Sequence, residues 1–114
     1  LLRAGKKVII VAPVPEPGFD VPEVLARDVE YGAGERQTLS ASDYRARDGF
    51  VLIALAKLHK KYGIPILDPA TLLCVSADCV VQREGRPFYA DHHHLSVFGA
   101  MQISGLFNQS FQDK

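Results

Sequence analysis

Asp91 and His94 stand three residues apart in the stretch Tyr89-Ala90-Asp91-His92-His93-His94-Leu95-Ser96, and no other segment gathers comparable reactive groups. A histidine serves as general base when a carboxylate fixes its tautomer and stabilises the imidazolium that forms. Within a tight loop, a separation of three lets one segment supply both groups. Asp91 and His94 therefore read as two members of a Ser-His-Asp type acyl-transfer site. The plainer alternative is a solvated turn, since both residue types are common in surface loops. The segment also raises a metal reading through Asp91, His92, His93 and His94, because imidazole and carboxylate suit zinc and other transition ions. Consecutive histidines do not naturally converge on one ion, and no helical pair four apart supports them. No metal is expected. His92 and His93 read as solvent-exposed loop residues, and His59 as a surface residue among the lysines of a helix.

The loop must be aimed by its neighbours. Ser96 is a good N-cap for a final helix from Val97 to about Phe111, with Val97, Met101, Ile103, Leu106 and Phe107 on its apolar side. Upstream, Val80 to Tyr89 has the pattern of a small hairpin around Glu84-Gly85. Val8-Ile9-Ile10-Val11-Ala12 is a continuous apolar run that suits a strand covered on both faces, as in a parallel sheet. Pro13, Pro15, Pro17 and Gly18 end it, and the loop from Pro13 to Asp20 is placed to form one wall of a site. Asp20 caps a short helix over Val21–Val29, with Pro22 in the tolerated first turn. Tyr31–Thr38 reads as a polar connection.

A longer helix starts near Ser40 or Ser42 and runs to about Tyr62, where Gly63 stops it. Phe50, Val51, Ala54, Leu55 and Leu58 give it an apolar face. Its charges, including Arg45, Arg47, Lys57, Lys60 and Lys61, read as a solvated side with the basic cluster at the negative pole of the helix dipole. Ile64–Leu67 is the next strand, with Pro65 at a strand start or sheet edge. Strand, helix, strand in this order implies a right-handed parallel crossover, hence an α/β fold. Asp68-Pro69 then leads into a short helical stretch, Ala70–Leu73.

The 114 residues suit one domain or part of one, and 47% of them are apolar, enough to bury a core. Thirteen residues of each charge sign give zero net charge, which argues against a nucleic-acid or anionic-membrane surface. No apolar run nears the roughly 20 residues that span a bilayer. Leu1–Lys7 reads as the end of a helix closed by Gly5, so the sequence is expected to be the C-terminal piece of a longer polypeptide. Cys74 and Cys79 lie five apart, neither a redox motif nor a zinc-ligand set. They read either as two buried thiols or as a short disulfide. The second is possible if Ser76-Ala77-Asp78 turns the chain, and it would belong to an oxidising compartment.

The pattern Tyr-x-Asp-x-x-His-Leu-Ser-x-x-Gly-Ala, Tyr89 to Ala100, resembles the last sequence block of SGNH hydrolases. It is nearest to the form fused behind integral-membrane acyltransferases of family 3, which O-acylate bacterial surface glycans. Val8 to Pro15 and the order Leu73-Cys74, Cys79, Gly85-Arg86-Pro87, Tyr89 are similar to the same domain. The resemblance implies a three-layer α/β/α sandwich with a flavodoxin-like parallel sheet, of which residues 1–114 would be the C-terminal portion of one domain. It implies Asp91 as orienting acid and His94 as base, and no cofactor. The family's serine nucleophile, in a Gly-Asp-Ser block, and its oxyanion-hole Gly and Asn are absent from these residues. Ser40 and Ser42 lack that context and read as caps. The implied activity is acyl transfer to glycan hydroxyls at the periplasmic face of a membrane, the acyl donor coming through a membrane acyltransferase domain. A free-standing esterase and a non-catalytic carbohydrate-binding domain are the alternatives.

Overall fold

A computed structural model describes residues 1–31 and 39–111. The connection expected at Tyr31–Thr38 lies, from residue 32 on, outside the described residues. The first strand, β1 (Ile10–Val11), pairs in parallel with β3 (Ile66–Leu67), Ile10 opposite Ile66 and Val11 opposite Leu67. Between them run α1 (Val21–Tyr31), β2 (Leu39–Ser40) and α2 (Ala41–Tyr62). The chain is thus mixed α/β with a small parallel sheet, as the strand–helix–strand order predicts.

Local sequence rules account for the element ends. The Asp20 carboxylate accepts the Glu23 N–H at 2.9 Å and opens α1. Ser40 caps α2 by accepting the Asp43 N–H at 3.3 Å. Gly63 closes it with φ +67° and an N–H donated to the His59 carbonyl at 2.8 Å, the left-handed stop that glycine adopts without a Cβ clash. After β3, α3 (Ala70–Leu73) occupies the predicted short helical stretch. The chain then makes two hairpins, β4 (Cys74–Val75) with β5 (Asp78–Cys79), and β6 (Gln82–Arg83) with β7 (Arg86–Pro87). Glu84 and Gly85 turn the second with φ +52° and +78°, both left-handed, which suits the twist of a two-residue hairpin. The first hairpin carries the Cys74–Cys79 disulfide between directly opposed strand positions, so the bonded reading holds over two free thiols.

The buried core lies among α1, the hairpins and the last helix. Val21, Ala41, Leu73, Cys79, Phe88 and Tyr89 are its least exposed members, and Leu39, Val81 and Ile103 complete it. Three expectations are corrected here. The run around β1 is not covered on both faces, because Val11 is 45% exposed on a sheet only two strands wide. The apolar face expected on α2 is largely open: Phe50 is 86% exposed, and Val51 and Leu58 are exposed as well. Among the described residues only Ala41 and Tyr44 of that helix are buried, since the narrow sheet cannot cover its length. The final helix is shorter than its pattern suggests. After α4 (Val97–Ile103) the chain tightens into a 3₁₀ segment, Ser104–Phe111. Within α4 itself Ile103 is buried while Val97 and Met101 are exposed, because Val97 and Met101, four apart, share a side of the helix that Ile103 does not.

Candidate active site

The segment between β7 and α4 is bent back on itself by backbone bonds. Tyr89 and Leu95 form an antiparallel bridge, the Ala90 N–H donates to the His94 carbonyl at 2.8 Å, and the Ser96 N–H donates to the Phe88 carbonyl at 2.9 Å. Ser96 then performs two tasks. Its Oγ donates to the Pro87 carbonyl at 2.8 Å and accepts the Gly99 N–H at 3.0 Å, capping α4 and holding the loop's exit to its entrance.

Inside this loop one carboxylate organises everything. Asp91 Oδ1 accepts the backbone N–H groups of His93 at 2.8 Å and His94 at 2.7 Å. Its Oδ2 lies 2.8 Å from His94 Nδ1. These bonds hold the Asp91 carboxyl well below the usual carboxylate range, the His93 N–H first, then the His94 N–H and the His94 ring. An ionised carboxylate only accepts hydrogen bonds, so His94 Nδ1 is the donor and carries the ring's proton. The neutral ring then keeps its lone pair on Nε2, the tautomer a general base needs. The two sequence-predicted catalytic residues are therefore brought together, with the imidazole 68% exposed beside a carboxylate that is 35% exposed.

The loop from Pro13 to Asp20 lies against this segment, as its position after β1 predicts. The Tyr89 phenol, fully buried, donates to the Pro15 carbonyl at 2.5 Å, and the Gly18 N–H donates to the His92 carbonyl at 3.4 Å. Burial first, then the charge of Glu16 and the neighbouring Tyr44, pushes the Tyr89 phenol well up, so it stays a neutral donor. Tyr44 reaches the Pro13 carbonyl at 3.1 Å and is pushed up to about 12 by burial, then by Asp68 and Asp48. Two tyrosines thus hold the start of the same loop, two residues apart. Sequence reasoning did not assign Tyr89 this role, although a tyrosine two residues before the acid was the available signal.

Other residues fall as follows. His92 is exposed, as expected, whereas His93 is half-buried, with its ring centroid 3.9 Å from that of His94. His59 is not idle: its Nδ1 bonds the Ile64 carbonyl at 2.8 Å across the turn that follows α2. Ser40 and Ser42 share a hydrogen bond at the start of α2, and Ser104 donates to the Met101 carbonyl. Among the described residues none of these hydroxyls bonds His94. Asp91, His93 and His94 each place one donor atom within 4.8 Å of the others. No described helix is long and apolar enough to cross a membrane.

Neither a curated protein nor a solved structure matches the chain. The family model for the SGNH domain fused to AT3 domains matches residues 1–109, which takes in both strands of the parallel sheet and the Asp91–His94 loop. A match across nearly the whole sequence, the Asp91–His94 loop included, shows that the chain belongs to the family of SGNH domains fused to AT3 domains.

Proposed function

We propose that this domain supplies the acid–base half of an O-acyltransferase acting on hydroxyls of bacterial cell-surface glycans. The observation that carries the reading is the His94 Nδ1 to Asp91 bond, which leaves Nε2 free and exposed toward an incoming nucleophile. The serine comes from a Gly-Asp-Ser block outside residues 1–114, within a three-layer α/β/α domain that those residues share. In the first half-reaction His94 Nε2 takes the serine proton as Oγ attacks the donor's acyl carbon, and returns it to the leaving group. In the second, the glycan hydroxyl gives its proton to His94 and attacks the serine ester. The serine oxygen leaves with that proton. Asp91 stabilises the imidazolium in both steps. The acyl donor reaches the site through the membrane acyltransferase domain to which the family is fused, and on this reading the domain works at the periplasmic face.

In the natural full-length protein, His94→Ala should abolish transfer of a radiolabelled acyl group to glycan, a loss of several orders of magnitude. The unfolding midpoint should stay within a degree or two, because the ring is mostly exposed. His92→Ala should transfer normally. Residues 1–114 alone should show no hydrolysis of p-nitrophenyl acetate above buffer. Acyl transfer that survives His94→Ala would overturn the assignment. Release of free acid, with no acylated glycan, would move the reading to an esterase.

A further inference from the structure

We infer that Asp91, His93 and His94 form a binding site for a divalent transition ion, zinc(II) in the first place, and that the bound ion switches the His94 base off. The second half of this statement rests on the function proposed above; the first does not. Adjacent side chains usually diverge, which is why a run of histidines makes a poor ligand set. This loop bends sharply enough to cancel that divergence. His93 and His94 hold their rings with centroids 3.9 Å apart, and His93 Nδ1 lies 3.8 Å from Asp91 Oδ1. One donor atom from each of the three residues falls within 4.8 Å of the others.

Two imidazoles and a carboxylate are a common zinc set, at roughly 2.0–2.2 Å from the ion, with water completing a tetrahedron. Tetrahedral donors at that radius stand ~3.3 Å apart, so the three groups need to close by at most about 1.5 Å from the spread seen here. Rotations about side-chain bonds suffice, and the backbone is already fixed by the Tyr89–Leu95 bridge and the Ala90 to His94 bond. Both histidine side chains retain solvent contact, 37% for His93 and 68% for His94, which leaves room for the metal's water. The carboxylate is held in place by two backbone N–H groups at Oδ1, leaving Oδ2 to turn from the ring to the ion.

The consequence for His94 follows from proton bookkeeping on one ring. Its Nδ1 now carries the proton that bonds Asp91. An ion on Nδ1 needs that lone pair, so the neutral ring's single proton moves through solvent to Nε2. With Nε2 protonated, no lone pair remains to take a proton from a nucleophile. The ion therefore competes with the Asp91–His94 bond and the base it creates, and has no part in the acyl-transfer step.

The test is direct titration of the 114-residue chain with zinc chloride against a chromophoric chelator, with cobalt(II) absorption as a second readout. One ion should bind per chain, and the cobalt complex should show the visible bands of tetrahedral coordination. His93→Phe keeps a ring against that of His94 but removes its nitrogens, and should weaken binding at least tenfold. His92→Phe should bind as the original chain does. No binding up to roughly 1 mM zinc, or equal affinity in His93→Phe and the original chain, would overturn the site. In the full-length protein, zinc should slow acyl transfer, and His93→Phe should raise the zinc concentration required at least tenfold. Stoichiometric binding without slowing would overturn the switch and leave the site. Absence of any acyl transfer would instead count against the function proposed above, while the titration still decides the site.

Discussion

Asp91 takes three hydrogen bonds from His93 and His94, the two backbone N–H groups at Oδ1 and the His94 ring at Oδ2. Because the folded loop binds the ionised form, its pKa lies below that of the unfolded chain. The sign follows: the stabilisation is fully present above the unfolded value of about 3.9 and is lost as pH falls through the lower folded value. The Asp91 carboxyl carbon should therefore show no NMR titration step between neutral pH and roughly pH 4. A midpoint at the ordinary aspartate value would mean that the loop bonds are not formed in solution. Asp91→Asn removes the acceptor that selects the His94 tautomer while keeping the side chain's shape. In the full-length protein it should cost on the order of 10⁴ in transfer rate, the size of the effect such a replacement has in a serine-protease triad. The pair was legible in the sequence because both partners belong to one four-residue turn. His93 was misplaced for a related reason. Residue order says that neighbours diverge, and only the actual bend of the backbone brings its ring onto that of His94.

At the scale of elements, the motif residues that perform no chemistry explain how the loop is aimed. Gly99 sits in the first turn of α4, and a Cβ there would stand 1.9 Å from the Phe88 carbonyl oxygen and 2.7 Å from its carbonyl carbon. Both are backbone atoms that cannot turn aside. Glycine lets the helix press onto the strand end, so that Ser96 can bond both Pro87 and Phe88. Gly99→Ala should destabilise the fold by at least about 3 kcal/mol, read as a fall in urea midpoint at unchanged slope. An alanine variant as stable as the original would mean that the helix does not approach so closely. Arg86, 3.8 Å over the Phe98 ring, and Arg83, bonded to Gln102 at 2.7 Å, hold the hairpin to the same helix. Caps and turns were readable one by one, since Asp20, Ser40, Gly63, Glu84-Gly85 and Ser96 act on bonds within a few residues. The strands β2 and β5 were not. Leu39 pairs with Cys79 across forty residues, and a two-residue strand leaves no periodic trace.

Across the whole molecule the chain is long and thin, 57 × 30 × 21 Å, with a radius of gyration of 16.4 Å. A compact domain of this length would have about 13 Å. The core gathers around the hairpins, while α2 runs out beside a two-stranded sheet with Phe50 86%, Ile53 59% and Tyr62 51% exposed. Helical periodicity announced an apolar face on α2, but of its five residues Leu55 alone is half-buried, and nothing in the local pattern says whether a partner covers the rest. Exposed apolar side chains on this scale favour self-association. For the isolated chain, Phe50→Lys should leave unfolding free energy within about 0.5 kcal/mol and raise the concentration at which light scattering first appears. A large loss of stability would show that Phe50 is packed against something in solution.

The bridge between Cys74 and Cys79 joins facing residues of a hairpin turned at Ser76 and Ala77, five positions apart. So short a span does not depend on the rest of the domain having found its place. The two sulfurs can meet as soon as the hairpin forms, before α4 exists to pack on it. They are also the only cysteines among these 114 residues, so within them one pairing is open and there is no second one to shuffle into. Within these residues oxidative folding has no search problem. What remains to compete is a cysteine outside these residues or on another molecule, and the short span favours the hairpin's own bond over either.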